Sequence, residues 1–166
     1  MKKILALLMF ISLGLANNIK QSVFIGGDYG TIKTNNNQSS DNYARGKIGF
    51  YFYDENQYLI SNRLYLSGAK VFKYNVDFII TKLNLDWIWN QIPFIKPFIG
   101  VNGGYIYYSE NNNDTSSASI GMKGGLLFYV GDNIELEMGG EVTHPESENK
   151  FPKNFKQVYG GLNISF

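Results

Sequence analysis

The chain has 166 residues, 16% of them aromatic and 18 of them glycine, with only 17% charged, a formal net charge of +1 and no cysteine. The lack of cysteine excludes a disulfide framework and a thiolate metal site, and the near balance of charge gives no footprint for nucleic acid. Beyond the first 16 residues no run approaches the ~18 apolar residues of a transmembrane helix, so helical membrane spans are excluded too.

Residues 1–16 carry a basic head (Lys2, Lys3), an apolar run from Ile4 to Leu15 and small residues at Gly14 and Ala16. This is the layout of a secretory signal peptide cleaved between Ala16 and Asn17. About 12 apolar residues are too few for a spanning anchor. No cysteine follows Leu13-Gly14-Leu15-Ala16, which excludes a lipoprotein anchor. Cleavage removes two of 15 basic residues and leaves 13 against 14 acidic ones. The remaining segment, 17–166, is the length of one domain.

That segment reads as eight strands of alternating polarity. The first, Ser22 to Lys33, sets Val23, Ile25, Gly27 and Tyr29 against Phe24, Gly26, Asp28 and Gly30. A polar loop, Thr34 to Asn42, follows. The second strand, Tyr43 to Tyr53, alternates Ala44, Gly46, Ile48, Phe50 and Phe52 with Arg45, Lys47, Gly49, Tyr51 and Tyr53. Two cations on the same side of an apolar ribbon imply a polar interior and an apolar exterior. After a turn at Asp54 to Asn56, the third strand (Gln57 to Ser67) turns Ser61, Arg63 and Tyr65 inward, and residues 68–73 form a short connection. In the fourth, Tyr74 to Trp89, Lys82, Asn84 and Asp86 alternate with Leu83, Leu85, Trp87 and Trp89. Val76 and Phe78 break the apolar-outward rule there, which predicts a bulge near residues 78–80.

A turn at Asn90 to Pro93 leads into the fifth strand, Lys96 to Tyr108, with Pro97 near its start, where a missing backbone donor is tolerated. Ser109 to Ser117 reads as a second polar loop. The sixth strand, Ala118 to Val130, faces Gly121, Lys123, Gly125, Leu127 and Tyr129 inward. The Gly131-Asp132-Asn133 turn then leads to the seventh, Ile134 to Thr143, with Glu135, Glu137 and Glu141 inward. If Val130 faces Ile134, Lys123 lies directly opposite Glu141. His144 to Asn154 is the last loop, and Phe155 to Phe166 the closing strand.

Short turns thus lie on one side of the sheet and longer polar loops on the other. Phe52, Tyr58, Trp87, Trp89, Phe128 and Phe166 flank the short turns, as an interfacial aromatic girdle does. Gly-Gly pairs begin at positions 26, 103, 124, 139 and 160 inside strands, where glycine normally costs stability. Lumen-side glycines leave room for bulky neighbours in a sharply curved small barrel.

Two stretches carry a resemblance to a known family. The segment KPFIGVNGGYIYY, Lys96 to Tyr108, is similar to a strand pattern of small OmpA-like outer-membrane barrels. The final strand, with Tyr159, Leu162, Ile164 and terminal Phe166, resembles the C-terminal assembly signal of bacterial outer-membrane β-barrels. The resemblance implies an all-β fold, an eight-stranded antiparallel up-and-down transmembrane barrel in the outer membrane of a Gram-negative bacterium. It also implies contact with outer-membrane lipid and lipopolysaccharide and with the barrel-assembly machinery. A soluble lipocalin-type barrel is the alternative, with inside and outside exchanged.

The inward charges Asp28, Arg45, Lys47, Arg63, Lys82, Asp86, Lys123, Glu135, Glu137 and Glu141 form the candidate site. An eight-stranded barrel has an interior that side chains can fill, so these charges are expected to plug the lumen as an ion-pair network. The alternative is a narrow, porin-like channel lined by them. A third reading is a lipid A-modifying enzyme around His144, with Glu146 and Ser147 nearby. The His144-Pro145-Glu146 stretch departs from the deacylase pattern of His and Ser two residues apart on a strand. The expected function is therefore a non-enzymatic surface protein without metal or cofactor, supporting envelope integrity or touching a host or surface ligand through its outer loops.

Overall fold

The computed structural model describes residues 19–34, 40–54, 59–73, 76–110, 113–147 and 154–166. They form eight strands: β1 (Ile19–Thr34), β2 (Ser40–Asp54), β3 (Ile60–Lys73), β4 (Val76–Trp89), β5 (Ile95–Glu110), β6 (Asn113–Tyr129), β7 (Ile134–Pro145) and β8 (Phe155–Ser165). Each strand pairs antiparallel with the next, and β8 returns to pair with β1, so the sheet closes into a barrel with no free edge. The predicted cleavage site, Ala16 and Asn17, lies outside the described residues, as does Tyr58 of the aromatic girdle.

The two-residue period decides what faces where. Along β2, Tyr43, Arg45, Lys47, Gly49 and Tyr51 are buried inside, while Gly46, Ile48 and Phe50 are exposed. Along β7, Glu135, Glu137, Glu141 and Thr143 point in, and Leu136, Met138 and Val142 point out. Because side chains alternate across a strand, one register choice sets the whole pattern. The barrel is inverted relative to a soluble one: its interior holds the charges, and its exterior exposes Val23, Ile25, Ile48, Leu66, Leu83, Ile99, Met122, Leu126, Met138 and Leu162.

Four local expectations are corrected. No bulge interrupts β4; burial alternates without a phase change from Val76 to Trp89, and its register with β3 runs unbroken from Lys73↔Val76 to Ile60↔Trp89. Val76, Phe78 and Ile80 face the lumen because the lumen is apolar at that end. Residues 68–73, read as a connection, continue β3, and most of 109–117, read as a loop, extends the β5–β6 hairpin. The polar residues there stay extended because each opposes a partner, such as Tyr108↔Thr115 and Ser109↔Asp114. His144 sits on β7, opposite Ile120 on β6, and not in a loop.

At the other end the turns are tight. Val130 donates from its backbone to Ile134 at 3.0 Å, closing the β6–β7 hairpin. Before β5, the Ile95 N–H bonds to the Pro93 carbonyl at 2.8 Å around Phe94, whose φ is 60°. A three-residue turn with a positive central φ is a strained form for an L-residue.

The glycine pairs split by face. A side chain on the inward member of each pair would collide with its surroundings: at Gly26 with the Asn163 amide, at Gly139 with the Tyr159 hydroxyl at 2.6 Å, and at Gly161 with the Asp28 carboxylate. On the outward members the nearest atom lies 3.3 Å away at Gly124 and 3.6 to 3.9 Å away at Gly27, Gly103, Gly140 and Gly160. Only the inward glycines are required by packing.

Candidate functional site

Two apolar clusters cross the lumen with a charged layer between them. At the end away from the short turns, Ile32, Tyr43, Val71, Val76, Phe78, Ile106 and Phe155 pack together. Toward the short turns, Phe24, Tyr51, Tyr65, Ile88, Phe98 and Leu127 form the second cluster. Both exist because inward positions at the strand ends carry rings and branched side chains. The charged residues share the same inward parity along the strands, and Glu135, the second residue of β7, reaches the short-turn end.

Among the described residues, five buried cations (Arg45, Lys47, Arg63, Lys82, Lys123) face five buried carboxylates (Asp28, Asp86, Glu135, Glu137, Glu141). Arg45 Nε lies 2.6 Å from Asp28 Oδ2, and its Nη1 lies 2.8 Å from Glu141 Oε2. Lys47 bridges Asp28 and Glu137 at 2.7 and 2.8 Å. Arg63 bridges Asp86 and Glu137 at 2.6 and 2.9 Å. Lys82 pairs with Glu141 and reaches Thr143 Oγ1 at 2.5 Å, and Lys123 lies 2.8 Å from Asp86. Most of these partners are far apart in sequence because an eight-stranded lumen is narrow enough for long side chains to meet across it.

Polar groups complete the layer. Glu137 accepts from Tyr159 and from Asn163, each at 3.1 Å, and Glu141 accepts from Asn102 at 3.0 Å. Glu135 is held by the Tyr51 hydroxyl and by Asn163 at 3.4 Å, with no cation paired to it among the described residues. Lys123 does lie opposite Glu141 in the β6–β7 register, but its ammonium turns to Asp86 and the Tyr65 hydroxyl. The expected neighbour pair is replaced by contacts across the barrel. Arg63 also lies within 6 Å of four aromatic rings, at 5.5 Å from Phe24, 5.8 Å from Tyr51, 5.0 Å from Tyr65 and 5.4 Å from Phe98. It is the point where the charged layer meets the lower apolar cluster.

Sequence reasoning did not assign the tyrosines and asparagines that cap the carboxylates. Their signal was inward parity on strands that also carry charges. The residues of the C-terminal pattern do not share a face: Tyr159 points into the lumen beneath the Arg45 guanidinium at 4.3 Å, whereas Leu162, Ile164 and Phe166 lie on the outward side. The Phe166 backbone N–H bonds to the Val23 carbonyl at 2.8 Å and so ties the chain end to β1. His144 is exposed on the outer side with Nδ1 3.0 Å from Asn154 Oδ1, and Ser147 is held through its backbone N–H by Ser117 Oγ at 3.0 Å. No group of three or more metal-ligating side chains is present among the described residues.

No protein-family model and no curated protein sequence matches the chain. Solved structures do. The N-terminal β-barrel domain of Pseudomonas aeruginosa OprF is 12% identical and aligns with a TM-score of 0.64 over 89% of this chain and 100% of that one. Ail, the attachment invasion locus protein of Yersinia pestis, is 14% identical, with a TM-score of 0.57 over 90% and 99%. The outer membrane enzyme PagL is 10% identical, with a TM-score of 0.55 over 85% and 98%. The fold of this chain is therefore that of the small eight-stranded outer-membrane β-barrels, a fold shared by enzymes and non-enzymes alike.

Proposed function

We propose that this chain is a non-enzymatic surface protein of a Gram-negative outer membrane, a barrel whose lumen is plugged and whose polar outer rim makes contact with a host or surface ligand or supports envelope integrity. The observation that carries this reading is the inversion of the barrel, apolar outside and ion-paired inside, with apolar clusters on either side of the central ion pairs. An apolar belt of this extent is unfavourable in water and favourable in a bilayer. Strands of 14 to 17 residues in β1 to β6 exceed the ~9–11 needed to cross a bilayer, which leaves polar strand ends such as Ser109 and Asp114 to stand clear of it. On this reading residues 1–16 are removed before insertion, and the outward residues Leu162, Ile164 and Phe166, with Tyr159 behind them, are read by the assembly machinery. Ail, of the same fold, has been solved with a heparin analogue, which makes sulfated glycans a reasonable first ligand to test at the rim.

A narrow channel is the competing reading, since charges do line the lumen. It is opposed by the Phe24–Tyr51–Tyr65–Phe98–Leu127 and Ile32–Val71–Phe78–Phe155 clusters, which stand in the lumen on either side of the central ion pairs, although Glu135 lines a cavity of ≈ 640 Å³ at the short-turn mouth. Single-channel recording tests the choice. The plugged barrel shows no stepwise conductance in the wild type; steps that shift in size in Glu137→Gln or Arg45→Gln would establish the channel. Lipid A mass spectra from cells with the wild type and with His144→Ala test the enzymatic alternative, and identical spectra are expected.

A further inference from the structure

Lys33 on β1 and Lys156 on β8 are directly opposed in register, and both are exposed on the outward face. Like charges at directly opposed positions repel, with Cβ atoms only ~5 Å apart. Their other lateral neighbours, Ser40 on β2 and Val142 on β7, carry no compensating charge, and neither lysine has an ion-pair partner among the described residues. Lys156 is about ten residues from the terminal Phe166, and Lys33 about ten from Val23, to which Phe166 is bonded. Ten residues is one tilted crossing, so the two lysines stand together at the far boundary of the apolar belt.

Beside them lies a shallow groove of ≈ 350 Å³ in the outer surface, lined by the outward residues Met122, Gly124, Gly140, Val142 and Lys156 together with Lys123, Glu141 and Gln157, which are buried at lumen-facing positions. Gly124 and Gly140 are opposed in register, and Gly140 is next opposed to Val158, two residues along β8 from Lys156. The groove floor thus begins one side-chain step, ~7 Å, toward the middle of the belt from the lysine row. A doubled positive charge at the boundary, with an apolar trough running inward from it, complements one class of molecule. We propose that the Lys33–Lys156 pair and this groove bind a phosphorylated, multiply acylated lipid of the outer leaflet, of the lipid A class, with a phosphate between the two ammonium groups and an acyl chain over Gly124 and Gly140. The inference rests on the membrane placement proposed above and is independent of any ligand at the rim.

The test uses the folded full-length barrel in nonionic detergent, each variant first checked for the folded mobility in cold SDS. That check separates failure of the lipid site from failure of the membrane reading. Native mass spectrometry follows retention of four probes: diphosphoryl lipid A, dephosphorylated lipid A, phosphatidylglycerol and inorganic phosphate. One diphosphoryl lipid A is expected per barrel, held at least about tenfold more weakly by Lys33→Gln/Lys156→Gln and several-fold more weakly by Gly140→Val, which fills the trough. A Cβ at Gly140 would meet no atom nearer than 3.6 Å. In detergent without lipid the double lysine variant should unfold no more easily than the wild type, because it removes a repulsion; lipid A should then raise the unfolding midpoint of the wild type alone. Equal retention by wild type and double variant would overturn the proposal. So would retention of dephosphorylated lipid A, phosphatidylglycerol or inorganic phosphate as tight as that of diphosphoryl lipid A.

Discussion

Replacing Arg63 by methionine keeps most of the side-chain volume and removes the charge at the most enclosed point of the lumen. Arg63 is 0% exposed and bridges Asp86 and Glu137. Breaking a buried pair from one side costs ~3–5 kcal/mol, because the partner stays buried and uncompensated. Here each carboxylate keeps one other cation, Lys123 for Asp86 and Lys47 for Glu137, both at 2.8 Å. That retained pairing holds the cost near the lower end, ~3 kcal/mol, with up to ~1 kcal/mol more from lost stacking on the surrounding rings. Four cations then oppose five carboxylates in the lumen. Adding Glu137→Gln restores the balance, so the double variant should be ~2 kcal/mol more stable than the sum of the two single losses predicts. The assay is urea-driven unfolding in lipid vesicles, followed by tryptophan emission and by the fraction migrating at the folded position in cold SDS. A loss under ~1 kcal/mol for Arg63→Met, or strict additivity in the cycle, would mean that the charges are hydrated separately and that no packed plug exists.

Four further outcomes follow from the same geometry. Gly161→Ala drives a methyl into the Asp28 carboxylate and should cost ~1–3 kcal/mol, while its neighbour Gly160→Ala, whose Cβ meets nothing nearer than 3.9 Å, should be neutral or slightly stabilising in the same unfolding assay. Phe94→Gly relieves the positive φ and should stabilise by ~1 kcal/mol, seen as a higher urea midpoint. Leu83→Arg places a charge on the outward face mid-strand and should cost ~2–4 kcal/mol in bilayers, with a smaller loss in detergent. The chain has no cysteine, so single-cysteine reporters are clean. Ser116→Cys should react with an impermeant maleimide on intact cells and Asp132→Cys only after permeabilisation; the reverse would invert the barrel in the membrane.

The inside–outside division was legible because a strand has only two faces and one charged residue commits the whole strand. Arg45 and Lys47 on β2, and the three glutamates on β7, carried that reading unaided. The β6–β7 register was legible from the Gly131-Asp132-Asn133 turn. Two things were not. Apolar residues were assigned to the exterior by rule, so Val76 and Phe78 suggested a bulge that β4 does not have; only the closed barrel shows them packed with Ile106 of the adjacent strand and with Phe155 across the lumen. Polarity was likewise taken for loop along residues 109–117, although a hairpin that extends past an apolar belt has no need of apolar residues. The pairing itself was out of reach, because Lys47 and Glu137, 90 positions apart, meet only through closure of β8 on β1. Composition supplied the list of charges, and the diameter of the barrel decided which of them touch.

The central claim is that the apolar face of this barrel is in contact with lipid. Trp87 and Trp89 are the two tryptophans of the chain; both are half-buried on the outward side of β4, at the rim beside the 90–94 turn. Quenching of their emission by lipids brominated at graded acyl depths reads that contact directly. Strong quenching is predicted, greatest for bromines near the headgroup and weaker toward the bilayer centre. Emission unaffected by bromine at any depth, from a protein that stays folded without lipid or detergent, would contradict it and return the chain to a soluble barrel.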